Sequence, residues 1–240
     1  MPSPVLHTSV LDTLGRRIAS GELREGAVLT LDAIGGEFGV SRTVAREAMR
    51  MLENLGLVRS RRRVGIVVLG MADWHVLSPR VIAWRLQGAG RGAQLRTLTE
   101  LRHAVEPLAA AGAARHAPPE VRAELVTIAK RMRELGEAGE GDHDEFLELD
   151  VRLHELLLSA SGNELFGALS GVVAAVLSGR TSLGLMPASP VPAALDAHEA
   201  VARAVADGDS DAAQRAMATI VDEVQDALVD VDAALAADPS

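Results

Sequence analysis

The 240-residue chain has no cysteine and no tyrosine, and Lys130 is its single lysine. Without cysteine it can form no disulfide, no thiolate metal site and no cysteine nucleophile. Aromatic residues make up 2% of the total, three Phe and two Trp, so any core has to be built from aliphatic side chains. Long apolar runs are also missing, since none approaches the ~18 residues needed to cross a bilayer. The opening MPSPVLHTSV has neither a basic segment nor an apolar stretch behind it, which argues against a secretory signal and leaves a cytoplasmic protein as the expectation. What the chain does contain is 48% hydrophobic and 24% charged residues, a balance that excludes a wholly disordered or collagen-like polymer.

The length exceeds the usual ~100–200 residues of a single domain, and the charge is divided unevenly. Residues 1–70 hold ten arginines against seven acidic residues, a surplus of three positive charges, while the whole chain carries −9. A small basic head on a larger acidic body implies that only the head meets an anionic polymer. The expected organisation is a winged helix-turn-helix over 1–70, a linker helix region over 71–92 and an all-α effector-binding and dimerisation domain over 93–236, in a mainly α fold.

In the head, Val10, Leu11, Leu14 and Ile18 recur at helical spacing and predict a helix over roughly 5–20. Thr30 is placed to cap a second, short helix carrying Leu31 and Ile34. Gly39 makes the turn, and Ser41 caps a third helix, SRTVAREAMRMLENL. On that helix Val44, Ala48, Met51, Leu52 and Leu55 form the expected apolar face. Arg42, Arg46 and Arg50 recur every four residues on the opposite side, with Thr43 near the helix start. Guanidinium groups suit phosphate clamping and bidentate contact with guanine. The following LVRSRRRVGIVVL reads as strand, basic turn and strand, with Arg61, Arg62, Arg63 and Gly65 at the tip. A solvated charged surface would explain any one of these features; together they predict binding to double-stranded DNA.

The stretch IASGELREGAVLTLDAIGGEFGVSRTVAREAMRMLENLGLV resembles the DNA-binding head of GntR-type bacterial repressors over residues 10–68. The resemblance implies that Arg42, Thr43 and Arg46 contact operator bases or phosphates, and that Gly65 with its basic neighbours is the wing. Val44 stands where many members have proline. LTLDAI replaces the usual Pro-Ser-Glu-Arg opening and brings an acidic Asp32 close to the phosphate-binding surface.

Beyond residue 70 the pattern is helical. Glycine- and proline-rich breaks place helices near 73–87, 93–116, 119–135, 142–161, 163–182, 193–207 and 209–236, with a turn at Pro79. Three features carry chemistry. ELDVRLHELLLSASGN puts Asp150 and His154 one turn apart, a spacing that can grip a divalent ion. His198 lies on a later helix. Arg102, in a helix rich in Leu and Ala, needs an anion if it faces the interior, either Glu106 one turn on or a ligand carboxylate. His7, His75, His103, His116 and His143 have no recurring partner.

LRHAVEPLAAAGAA, then Asp-x-x-x-His, Ser-Gly-Asn and a later His resemble the FCD effector domain of the FadR branch of GntR regulators over most of 95–225. The resemblance implies that Asp150, His154 and His198 are three ligands of a divalent metal, commonly zinc or nickel, and that Arg102 binds the carboxylate of a small organic acid. Ile220 stands where the family has its last His ligand, with Asp222 or Glu223 as substitutes and Glu223 closer in angle. WHVLSPRVIAWRL is similar to the linker of repressors that answer to sugar acids such as galactonate or gluconate, although Trp74 and Trp84 could also simply pin the segment to the bundle.

The expected function is a homodimeric, ligand-responsive repressor that binds an inverted-repeat operator, is released by a small carboxylate, and has no membrane partner and no enzymatic activity. Two readings compete with it. Asp150, His154 and His198 could serve a metal-dependent hydrolase or lyase, or the site could be metal-free, with Arg102 alone holding the acid.

Overall fold

The computed structural model describes residues 4–237, with side chains described over 9–223, and divides between Arg91 and Gly92 into two compact units. The first unit contains α1 (Pro4–Ala19), β1 (Val28–Leu29), α2 (Leu31–Phe38), α3 (Arg42–Asn54), β2 (Val58–Arg61), β3 (Gly65–Val68), a single 3-10 turn at Met71–Asp73 and α4 (Pro79–Leu86). Its caps are those the residue types dictate. The Thr30 hydroxyl accepts from the Ala33 amide, the Ser41 hydroxyl accepts from the Val44 amide, and Gly39 adopts φ 63° between α2 and α3.

The sheet is antiparallel in the order β1-β3-β2, with Val28 opposite Val67 and Arg61 opposite Gly65. At two residues, β1 is too short to show an alternating pattern, and the sequence reading has no strand there. Val10, Leu11, Leu14 and Ile18 of α1 pack on Ile34 and on Ala45, Ala48, Met49 and Leu52 of α3. The inward methionine is therefore Met49, while Met51 and Leu55 are half-buried at the edge. The expected helix over 73–87 is reduced to α4, because Pro79 lacks an amide to continue a ladder and instead starts the helix. Both tryptophans pack on the core of the first unit. Trp84 Nε1 donates to Asp12 Oδ1 at 3.1 Å, and its ring covers Gly15, where a Cβ would come within 2.6 Å of the indole.

The second unit is helical throughout among the described residues: α5 (Arg91–His116), α6 (Pro119–Glu137), α7 (Asp144–Ser159), α8 (Glu164–Gly167), α9 (Ser170–Ser182), α10 (Pro192–Asp207) and α11 (Ser210–Ala237). The expected helix over 163–182 is two helices, broken at Ala168–Leu169. Glu164–Ser182 has the length and mean hydropathy, 1.3, of a spanning segment, but the break leaves α9 with 13 residues, short of the ~20 a bilayer requires. The Ser-Gly-Asn motif turns α7 into α8: Ser161 Oγ donates to the Leu158 carbonyl, Gly162 takes φ 79°, and Asn163 Oδ1 accepts from the Leu165 amide. Arg122 ties two helix ends together. Its guanidinium donates to the carbonyls of Ala114 and Ala117 at the end of α5 and of Val205 and Ala206 at the end of α10. Val205 also accepts from the Gly208 amide, and a cation on this group of C-terminal carbonyls complements both helix dipoles.

Candidate functional site

Helical spacing brings Arg102 and Glu106 onto one face of α5, and Asp150 and His154 onto one face of α7, each pair one turn apart. All four are buried, and His198 of α10 joins them at 8% exposure. Ligand atoms of Asp150, His154 and His198 all lie within 4.8 Å of one another, so the three expected metal ligands do converge.

The protons of this cluster decide what it can hold. His198 Nδ1 is 2.7 Å from the Ala194 carbonyl oxygen, which can only accept, so the ring proton is on Nδ1. In the neutral ring, Nε2 then presents a lone pair to Asp150 Oδ1 3.4 Å away. His154 Nε2 faces the same oxygen at 3.3 Å, and its Nδ1 faces Glu106 Oε2 at 2.9 Å. These approaches lack hydrogen-bond alignment, leaving both His154 nitrogens and Asp150 Oδ1 buried without a hydrogen bond. Acceptor lone pairs converging in a buried site need a cation between them, either a proton or a metal ion. The donor set of one carboxylate and two imidazoles fits zinc or nickel.

Burial alone would lower the pKa of His154, but the carboxylates of Glu106 and Asp150 hold it up to about 9. Burial would likewise raise Glu106, yet Arg102 and His154 bring it down to about 2. Asp150 lies well below the usual carboxylate range despite its burial, because both imidazoles face it.

Glu106 is the counter-ion of Arg102. Its Nε and one terminal nitrogen donate to Glu106 at 2.7 and 3.2 Å, while the other terminal nitrogen, Nη1, is buried with no partner. Beside it opens a cavity of about 150 Å³, lined by Arg102, Asp150, His154 and His198 together with Arg180, Ile220 and Glu223. Ile220 therefore occupies the wall from which a fourth ligand would come. Asp222 points elsewhere and accepts from His103 at 2.7 Å, among half-exposed groups. Glu223 does line the cavity, but its carboxylate is outside the converging donor set. Burial raises its pKa, opposed by His198 and Arg180.

Sequence reasoning missed two features. Glu106 appeared there as a counter-ion for Arg102, and its second contact, with His154, depends on how α5 packs on α7. Arg180 carried no signal, because its neighbours in α9 are small and it has no charged residue one turn away.

In the first unit, the three arginines of α3 are exposed on one face. Arg42 lies 3.8 Å from Asp32 and Arg50 donates to Glu47 at 2.9 Å. Arg46 has no ion pair among the described residues, and it lines a groove with Arg42, Arg50 and Gly65. Thr43 is exposed at the start of α3, and Arg61, Arg62 and Arg63 are exposed at the hairpin tip. Arg63 holds a left-handed φ of 65°, which turns the chain into β3.

Comparison with known proteins matches residues 6–68 to the family described as bacterial regulatory proteins, gntR family, and residues 97–223 to the FCD domain. The galactonate operon transcriptional repressor of Escherichia coli (strain K12) is 30% identical over 217 residues, covering 88% of this chain and 92% of that protein. A probable D-xylose utilization operon transcriptional repressor from Paenarthrobacter nicotinovorans is 29% identical, covering 88% and 83%. Among solved structures, E. coli McbR/YncC shares the fold with a TM-score of 0.54 at 18% identity, over 96% of this chain and 99% of that one.

Proposed function

Because the chain belongs to the GntR family of bacterial transcriptional regulators and carries an FCD domain, we propose that it is a cytoplasmic homodimeric repressor, released from an inverted-repeat operator by a small carboxylate. In this reading two copies present α3 to successive major grooves, and the two-fold axis of the dimer matches that of the operator. Arg42, Thr43, Arg46 and Arg50 read bases and phosphates, while Arg61, Arg62 and Arg63, with Gly65 at the start of β3, reach the flanking backbone.

The observation that carries the effector half of this reading is the buried, unpartnered Nη1 of Arg102 at a cavity beside the Asp150–His154–His198 cluster. A buried guanidinium nitrogen without an acceptor is costly, and a carboxylate oxygen satisfies it. A bound divalent ion would supply a Lewis acid with open positions for effector oxygens. Asp150 and the Nε2 atoms of His154 and His198 would hold it. Glu106 fixes Arg102 and faces the outer nitrogen of His154, so acid binding and ligand geometry share one residue. Effector binding changes operator affinity only to the extent that it prefers one arrangement of the dimer.

The test is fluorescence anisotropy with a DNA duplex that the protein itself selects from random sequence. The expected results are salt-sensitive binding by a dimer to a two-fold symmetric site, and weakening of that binding by small carboxylates in the zinc-loaded protein. Binding that no carboxylate alters would overturn the effector half; failure to select any duplex would overturn the operator half. The reading as a metal-dependent hydrolase or lyase draws on Glu223, a carboxyl in the same cavity with a raised pKa, and predicts turnover of a small acid by the zinc-loaded protein.

A further inference from the structure

The cavity lining is mostly apolar. Of its sixteen lining residues, ten are apolar, including Phe146, Leu177, Leu185, Met186, Leu195 and Ile220. The other six are the cluster, the two arginines and Glu223; none of the sixteen has a hydroxyl or a side-chain amide. A polyhydroxylated acid would bring several hydroxyl groups against this wall with nothing to receive them. Each buried hydroxyl without a partner subtracts from affinity.

The second observation is Arg180, near the end of α9. It is half-buried, and among the described residues no hydrogen bond or ion pair engages its guanidinium. Burial and the like charge of Arg102 pull its pKa down to about 10, while Asp150 and Glu223 act on it from beyond ion-pair distance. Two arginines that line one cavity and repel each other, each with donor capacity to spare, form a receptor for one anion.

Charge balance gives the same answer. A divalent ion held by Asp150 and two neutral imidazoles would leave one positive charge, while Glu106 offsets Arg102 and Glu223 offsets Arg180. A single negative charge on the ligand neutralises the site.

From these features, and resting on the carboxylate-sensing reading above, we infer that the effector is a monocarboxylate with an apolar body, its carboxylate held between Arg102 and Arg180 and its body against Leu177, Leu185, Leu195 and Ile220. Polyhydroxylated sugar acids are a poor fit to this wall. A cavity of about 150 Å³ is the size that takes a benzene-like group, which sets the whole acid at about five to seven carbons.

Isothermal titration calorimetry on the 240-residue, zinc-loaded protein tests this with two acids of equal length, 2-hydroxyhexanoate and gluconate. Both can chelate through the carboxylate and 2-hydroxyl, and they differ in the four hydroxyls farther along. The expected result is binding of 2-hydroxyhexanoate at least about tenfold tighter than gluconate. Arg180→Gln should weaken 2-hydroxyhexanoate by about tenfold or more, and because no hydrogen bond or ion pair engages Arg180 among the described residues, its removal breaks none. Leu195→Asn should narrow the preference by supplying an amide to the hydroxyls. Gluconate binding as tightly as 2-hydroxyhexanoate, or tighter, would overturn the inference while leaving carboxylate sensing intact. An unchanged affinity in Arg180→Gln would remove the two-arginine clamp. If neither acid nor any carboxylate binds, the inference and the carboxylate-sensing reading fall together.

Discussion

His154 Nδ1 lies 2.9 Å from Glu106 Oε2, both side chains being almost completely buried. A neutral His154 that offers Nε2 to a metal carries its proton on Nδ1, facing this carboxylate. An anion behind a ligating imidazole raises its basicity and fixes its orientation. Glu106→Gln keeps the shape but removes the charge. It should weaken zinc binding by about 10–100-fold, read by competition with a chromogenic chelator. Unchanged zinc affinity would show that Glu106 serves Arg102 alone.

The pH dependence of the metal-free protein follows from the same contact. His154 titrates at about 9 in the fold and near 6.5 in the unfolded chain. Its stabilising contribution is therefore complete below about pH 6.5 and lost as pH rises through 9, on the order of 3 kcal/mol in all. Glu106, held at about 2, contributes in the opposite sense, with stability lost as pH falls through that value. Urea titrations of metal-free protein should show the alkaline loss, and His154→Gln should flatten it. Zinc has to displace the proton on His154, so its affinity should instead increase over the same interval. Alkaline stability independent of residue 154 would contradict the geometry of the cluster.

On the head, two acidic groups hold back basic ones. Asp32 lies 3.8 Å from Arg42, and Glu47 accepts from Arg50, whereas Arg46 has no ion pair among the described residues. Arg46→Ala should cost about 1–3 kcal/mol of operator binding if it makes a base contact. Asp32→Asn should strengthen binding and steepen its salt dependence, since it releases Arg42 toward phosphate. Anisotropy across a salt series separates the two effects. Weaker binding by Asp32→Asn would mean that Asp32 positions Arg42 and does not compete for it.

How much of this was legible in the sequence depended on whether the signal was local. Thr30, Ser41 and Gly39 act within four residues of their own positions, so their roles could be read directly. Asp150 and His154 share a face by helical spacing alone, while the convergence of His198 on them was implied by family resemblance and not by spacing. Met49 was displaced by Met51 in the expected core, because both lie within reach of the apolar face and packing on α1 decided between them. The strand β1 is fixed by its pairing with β3, which two residues of sequence cannot announce. Arg180 and the second contact of Glu106 exist only through the packing of α5, α7 and α9.

Arg122 is another such residue, invisible in sequence and central to the fold of the second unit. It satisfies four carbonyls at the ends of α5 and α10, and no other basic side chain among the described residues takes them. Arg122→Ala should lower stability by about 2–4 kcal/mol, as charge-assisted hydrogen bonds are worth about 1.5–3 kcal/mol each and water can replace part of them. Differential scanning calorimetry checks the loss, and zinc stoichiometry should be unchanged. A shift of less than about 1 kcal/mol would mean that those carbonyls are adequately hydrated without the guanidinium.

Ile220 gives the sharpest test of the metal reading, because the prediction is a gain. Its side chain is 5% exposed and lines the cavity beside Asp150, His154 and His198. Tetrahedral zinc takes four ligands, and the cluster would supply three, leaving one position for water or an effector oxygen. An imidazole at 220 starts from the wall of that cavity, so Ile220→His should tighten zinc by about tenfold or more. The same change puts a polar ring where an apolar wall stood, so it should also weaken 2-hydroxyhexanoate relative to gluconate. Chelator competition and calorimetry on one variant read both effects. Tighter zinc with unchanged acid preference would place residue 220 at the metal but away from the acid. Unchanged zinc affinity would show that α11 does not bring position 220 within reach of the cluster, and the three-ligand geometry would lose its support.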